Sequence, residues 1–269
     1  MIKDFSFGQY YPQDSIIHKL DPRLKLVLLV SYIVFVFVAF NFSSLLLLSA
    51  FLFFMIAITK IPVSVYFKNI KVILPIIIFT SILNAVYVTD GVCLVSFWII
   101  KIYDQGIQKA IFMSLRILIL VLSSSVLSYT TTPTELTDAI ESLLSPLKYI
   151  GLANAVHSLA MIMTIALRFI PTLIEETDKI MSSQKARGAS LESGGLIKKV
   201  KALMPILIPL LISAIRRAYE LAEAMESRCY NGGEGRVRMK QLHLAKKDYL
   251  TLAVFVFIFI CVILLNICF

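Results

Sequence analysis

The stretch LMPILIPLLISAI (203–215) decides how this chain is placed relative to a membrane, because it is apolar on every side. Its 13 residues would form a helix of only about 20 Å, whereas the hydrocarbon core of a bilayer is about 30 Å thick. The stretch also contains Pro205 and Pro209, and basic residues border it on both sides. It is therefore too short to cross a bilayer.

A second apolar stretch, ANAVHSLAMIMTIALRFI (153–170), is interrupted by His157 and Arg168. If both stretches crossed the membrane, the basic residues between them would face the outside, contrary to the positive-inside rule. These residues are Lys179, Lys185, Arg187, Lys198, Lys199 and Lys201. We therefore predict that the whole segment 132–247 lies in the cytoplasm.

The chain as a whole has the composition of an integral membrane protein. Its 269 residues are 58% hydrophobic and only 16% charged, and the mean hydropathy is +0.85. A membrane-spanning helix needs roughly 17–25 apolar residues, and five blocks meet or approach this length: 24–40, 44–59, 72–88, 110–129 and 249–269. We predict an all-α integral membrane protein with five transmembrane helices and a cytoplasmic domain of long amphipathic helices.

Basic residues set the orientation. They lie before the first span and between the second and third, whereas the turn 41–43 has none. The N-terminus is therefore predicted inside and the C-terminus outside. This distribution also accounts for the net charge of +9 without nucleic-acid binding.

The predicted organisation is a membrane region (1–131, with the first span as an uncleaved signal), the cytoplasmic region (132–247) and a last span (248–269).

Two features of the membrane region are less regular. The stretch VCLVSFWIIKIY (92–103) is too short to span, so we expect it to be interfacial or re-entrant. Arg116 falls near the outer end of its span, where we expect its long side chain to reach the interface.

Helical periodicity dominates the cytoplasmic region. It predicts one helix over 132–150 that closes near Pro146, a second over about 153–187 with a kink at Pro171, and a third over about 196–228. The third has an apolar stripe that must be buried on the membrane, on the second helix or on a partner. The stripe comprises Leu196, Val200, Leu203, Leu207, Leu210, Ala214, Ala218, Leu221 and Met225.

The second and third helices each end with an arginine between small residues, Arg187 in SSQKARGASLE (182–192) and Arg228 in AMESRCYNGGEGR (224–236). One interpretation is structural: a cation favours the last turn, and Gly188 or Gly232 ends the helix. The repetition favours another, in which two arginine ends, about 45 Å apart in a helical hairpin or a scissor-like crossing, enter carboxylate-lined grooves of two copies of a partner.

At these residues the chain resembles the transmembrane T component of energy-coupling factor (ECF) transporters. HKLDPRLK (18–25) resembles the N-terminal signature of that family, LRFIPTLIEETDKIMSSQKARGA (167–189) its first arginine motif, and AMESRCYNGGEGR (224–236) its second. Within HKLDPRLK, Asp21 and Pro22 have a physical role of their own, as a helix N-cap and a first-turn proline.

The resemblance implies a subunit without catalytic activity, whose coupling helices dock into two ABC-type ATPase subunits and carry a membrane-embedded substrate-binding S component. It implies vitamins or other micronutrients as the cargo. The resemblance assigns the following residues to the two arginine motifs: Ala186, Arg187, Gly188, Ser227, Arg228 and Cys229. Cys229 stands where the family usually has Gly or Ala.

The sequence does not contain the residues that other classes of protein would need. The five predicted spans contain no Asp or Glu, and the chain has no HExxH, DDxxD or GxxxxGK[ST] motif, which argues against an intramembrane enzyme and against an ATPase within this chain. The four cysteines and three histidines form no metal-ligand spacing, and no cofactor is expected. A passive membrane scaffold and a self-standing small-molecule carrier remain as alternatives.

The predicted topology can be tested by cysteine labelling of intact cells. In a variant without native cysteines, single cysteines at Asn41 and Asp104 should react with a membrane-impermeant reagent from outside. A cysteine at Ser193 should react only after permeabilisation. Labelling of position 193 from outside would contradict the cytoplasmic placement of 132–247.

Overall fold

A computed structural model describes residues 10–88, 92–97, 100–146, 151, 153–188, 196–232 and 244–268. Within these residues the helices are α1 (Pro22–Val38), α2 (Phe42–Thr59), α3 (Val63–Tyr87), α4 (Asp104–Thr130), α5 (Pro133–Leu143), α6 (Ala153–Ala186), α7 (Leu196–Glu226) and α8 (Lys246–Cys268). Two short strands, β1 (Cys93–Phe97) and β2 (Ile100–Tyr103), pair antiparallel. The all-α class is confirmed, and β1 and β2 add an antiparallel strand pair that the sequence did not predict.

Five helices are long and apolar enough to cross a membrane, so the chain is a multi-pass membrane protein. Four of them, α2, α3, α4 and α8, coincide with predicted spans. Helix α1, the remaining predicted span, has 17 residues and so reaches about 25 Å, the lower limit for a span. The fifth candidate is Asn154–Ala186 of α6. Its composition permits crossing, and its cytoplasmic placement remains a prediction from the flanking charges.

Two compact units divide the chain, one within 140–240 and the other within 8–139 and 241–269. In the second unit, α1, α2, α4 and α8 bury a shared apolar core. Its innermost side chains include Val36, Leu45, Leu48, Ile119 and Val262. The ring of Phe35 stacks on Phe259 with centroids 3.9 Å apart. Shape complementarity of this kind holds helices together in lipid, where apolar burial alone gives little driving force.

A buried carboxylate joins the first and last helices of this unit. Asp21 is the N-cap of α1, and its side chain accepts a hydrogen bond from the Arg23 amide, with Pro22 in the first turn as predicted. The Asp21 amide donates to Asp248 Oδ1 at 3.0 Å, and the Ala245 amide donates to Asp248 Oδ2 at 2.7 Å. Asp248 therefore caps the N-termini of both α1 and α8.

The segment before α1 is tied to the same end of the helices. The Tyr11 amide donates to the Tyr129 carbonyl, and His18 Nε2 donates to the Tyr11 carbonyl at 3.0 Å. Because that carbonyl can only accept, His18 is the Nε2-protonated tautomer, and its Nδ1 accepts from the Ser15 hydroxyl. Burial lowers the pKa of His18. Lys25 Nζ adds two further hydrogen bonds at this end, which it donates to the His18 and Thr130 carbonyls.

Basic residues at two other places in this unit differ from expectation. Arg116 does not extend free to the interface, because its Nη2 donates to the Ala39 carbonyl at 2.6 Å and so caps α1. Helix α3 begins at Val63, so Lys68 and Lys71 lie on the helix rather than in a loop. Its 25 residues reach about 37 Å, which leaves room for the basic first turns outside the hydrocarbon core.

Replacing Asp248 with Ala should destabilise the helix bundle, because it leaves the Asp21 and Ala245 backbone amides, the first of them buried, without their acceptor. The expected loss is about 1–3 kcal/mol, measured by thermal or denaturant unfolding in detergent. Asp14→Ala is the matched control, since its side chain is 93% exposed and its described ion pair is with Lys19. Equal stability of the two variants would show that the Asp248 contacts are dispensable.

Candidate interaction site on helices α6 and α7

Helices α6 and α7 pack antiparallel. The Ser213 hydroxyl hydrogen-bonds to Glu176, and Arg217 Nη2 lies 3.1 Å from the second oxygen of the same carboxylate. Gln184, further along α6, donates to the Pro205 carbonyl, which comes earlier in α7. As residue numbers rise in one helix they fall in the other, so the two helix C-termini point in opposite directions.

Arg187 and Arg228 therefore lie at opposite ends of the pair. Gln184, next to the α6 end, contacts Pro205, whereas Arg228 lines a groove together with residues 161–168 of α6. About 25 residues of helix separate these two positions, or about 37 Å. This is somewhat shorter than the 45 Å expected for helices that overlap along their whole length.

Helix α6 ends in a left-handed glycine. Gly188 has a φ of +85°, and its amide donates to the Lys185 carbonyl at 3.0 Å. Arg187 is the residue immediately before it, and its amide donates to the Ser183 carbonyl at 3.2 Å. The predicted end of this helix at Gly188 is confirmed, because glycine adopts this backbone conformation without a Cβ clash.

Helix α7 ends in the same way, but with a cysteine. Cys229 has a φ of +56°, its amide donates to the Glu226 carbonyl at 2.9 Å, and the Tyr230 amide donates to the Met225 carbonyl at 3.1 Å. These two bonds define a Schellman motif. The interpretation that Gly232 ends α7 is wrong, because the chain has already turned at Cys229, three residues earlier.

The two motifs are therefore equivalent residue by residue. Each arginine is the last residue before the left-handed position, and the side chains of Ala186 and Ser227 precede it. All six motif residues are exposed. Neither guanidinium has a hydrogen bond or ion pair to any residue that the structure describes. Backbone amides already bind the last-turn carbonyls, so capping does not require the arginine side chains.

Helix α7 also has an open apolar face. Of the predicted stripe, Leu210, Ala214, Leu221 and Met225 are half-buried, whereas Leu203 and Leu207 are exposed. The exposed face is formed by large apolar side chains that are 47–74% exposed: Leu203, Met204, Leu207, Ile208, Leu211, Ile212, Ile215 and Tyr219. A contiguous face of this size is typical of a surface that meets a partner or a membrane.

The sequence did not predict the contacts of Glu176 with Ser213 and Arg217, or the groove that Arg228 lines. Glu176, Ser213 and Arg217 read as ordinary polar residues of amphipathic helices. Their contact depends on the register between α6 and α7, which no local pattern specifies. Their spacing carried one usable signal, since Ser213 and Arg217 are four residues apart and share a helix face.

The described residues combine apolar helices of membrane-spanning length with a long antiparallel helical pair, which has two exposed arginine ends and an exposed apolar face. These features define a multi-pass membrane protein. The family model described as cobalt transport protein, CbiQ, matches residues 13–239. The chain belongs to this family.

Curated relatives extend the match to nearly the whole chain. An energy-coupling factor transporter transmembrane protein EcfT from Clostridium kluyveri is 49% identical over 252 residues, 93% of this chain and 92% of the relative. The EcfT proteins of Ruminiclostridium cellulolyticum, 47% identical over 266 residues (99% and 98% of the two chains), and Bacillus subtilis, 44% identical over 248 residues (92% and 93%), are similar. The resemblance to T components is confirmed.

Substitutions of the left-handed residues Gly188 and Cys229 should have opposite effects on the stability of the two helix ends. Cys229→Gly removes an unfavourable left-handed side chain and should stabilise the α7 terminus by about 1 kcal/mol, whereas Gly188→Ala should destabilise the α6 terminus by about the same amount. Hydrogen exchange of the amides at 188, 229 and 230 measures both. Cys229→Ala, which keeps a Cβ, is the control and should change little. Equal exchange in all variants would contradict the assigned helix ends.

Proposed function

We propose that this chain is the transmembrane energy-coupling subunit of an ABC-type ECF importer, with its N-terminus in the cytoplasm. Two partner ATPase subunits hydrolyse ATP and dock on the C-terminal ends of α6 and α7. The observation that carries the proposal is the equivalence of Arg187 and Arg228. Both precede a left-handed residue, both are exposed, and they lie at opposite ends of an antiparallel pair.

The local geometry suits insertion into a groove. A guanidinium presents a planar set of donors that can bind a carboxylate through two parallel hydrogen bonds. Ala186 and Gly188 flank one arginine, and Ser227 and Cys229 flank the other, so no large side chain of the motif obstructs either helix end. Two ends about 37 Å apart can each engage a separate ATPase subunit.

The α6–α7 pair would transmit movement of the ATPases to the substrate-binding S component. Glu176 couples the two helices through Ser213 and Arg217, so displacement of one end is passed to the other helix. The exposed apolar face of α7 is the surface proposed to carry the S component, whose cargo would be a vitamin or another micronutrient. The EcfT names of the relatives support membership in such a complex.

Arg187→Ala and Arg228→Ala should each weaken ATPase association. Truncating one partner of a buried, hydrogen-bonded charge pair loses about 2–5 kcal/mol, or roughly thirtyfold to several thousandfold in Kd. The measurement is titration of ATPase subunits onto the purified membrane subunits in nanodiscs, together with uptake in cells. Arg→Lys should restore binding only partly, because lysine cannot form the paired contact.

Arg216→Ala is the control, since Arg216 is also exposed on α7 but lies outside both motifs. It should leave Kd and uptake unchanged. Normal Kd and uptake in both Arg187→Ala and Arg228→Ala would rule out docking through these ends. The passive-scaffold alternative predicts co-purification of ATPases without any effect of the two arginines on uptake.

A further inference from the structure

A groove beside Arg228 contains a second cation. Arg168 of α6 lines it together with Arg228, although 60 positions separate them in the sequence. Both arginines are exposed. Like Arg228, Arg168 has no hydrogen bond or ion pair to any described residue. The groove is further lined by apolar side chains of both helices: Met161, Ile165, Leu221 and Met225.

We infer that Arg168 is a second docking residue, and that this groove takes a carboxylate-bearing segment of the ATPase subunit that binds at the α7 end. The inference rests on the proposed function and extends it. Two like charges that line one groove are stabilised when an anion binds between them. A bound segment that covers the apolar part of the lining would shield that contact from water and so strengthen it.

The charge pattern favours an acidic protein segment over an anionic membrane surface. Arg168 also lines a neighbouring depression that holds Glu220 and Arg217, and Arg217 is already paired with Glu176. Two unpaired arginines beside an acidic residue are too few for attraction to anionic lipid, which typically uses clusters of 4–8 basic residues. They are sufficient to bind one or two carboxylates.

At the α7 end, Arg228 acts with Arg168, which the opposite helix supplies. The ATPase surface that docks there is therefore expected to present carboxylates to two arginines.

A double-mutant cycle in the complete transporter tests the inference. Arg168→Gln should weaken ATPase binding about tenfold, with less effect as the salt concentration rises. Combined with Arg228→Ala, the loss should be clearly less than the product of the single losses, because both side chains bind the same segment. Combined with Arg187→Ala, the losses should multiply, because the two sites are far apart. Arg168→Lys should give an intermediate Kd.

Arg216→Gln is the matched control, since Arg216 is exposed on α7 and lines neither groove. If Arg168→Gln binds ATPase as tightly as Arg216→Gln while Arg187→Ala and Arg228→Ala bind weakly, the inference fails and the proposed function stands. If Arg187→Ala and Arg228→Ala also bind normally, both fail. Multiplicative losses for Arg168 and Arg228 would exclude a shared segment. Weaker binding of Arg168→Gln only to phosphatidylglycerol vesicles would assign the groove to lipid.

Discussion

The amide and carbonyl groups at helix ends have no partners within the helix, and the way each end is satisfied shapes this protein. In the membrane unit, side chains bind several of them. Asp248 accepts from backbone amides at the starts of α1 and α8, Lys25 donates to a carbonyl at the end of α4, and Arg116 donates to one at the end of α1. Each contact ties one helix to another, so the capping side chains also assemble the bundle.

At the C-terminal ends of the long helices α6 and α7, backbone amides rather than side chains bind carbonyls of the last turn. Their chains turn through a left-handed residue, Gly188 or Cys229, whose amide binds a carbonyl of the last turn. The adjacent arginines are consequently not needed as caps, and their guanidiniums stay exposed. These backbone caps leave the two charged side chains available for a partner.

Local sequence signals predicted much of this arrangement, and long-range contacts did not. Apolar length located α2, α3, α4 and α8, and Asp21 with Pro22 marked the start of α1. Helical periodicity placed α6 and α7 to within two residues of their observed ends. The left-handed turn at Cys229 was not predicted, because a non-glycine residue rarely takes a left-handed conformation. Arg168 was treated as an interruption of an apolar stretch, since its proximity to Arg228 depends on helix pairing.

The left-handed cysteine has a practical consequence. Cys229 is exposed and immediately follows Arg228, whereas Cys261 is half-buried within α8. The unmodified chain therefore carries its own chemical reporter at the α7 end. The rate at which a thiol reagent alkylates Cys229 measures how far that end is open to water, and a bound protein would shield it. Occupancy of this end can thus be followed through a transport cycle by footprinting, without introducing a foreign label.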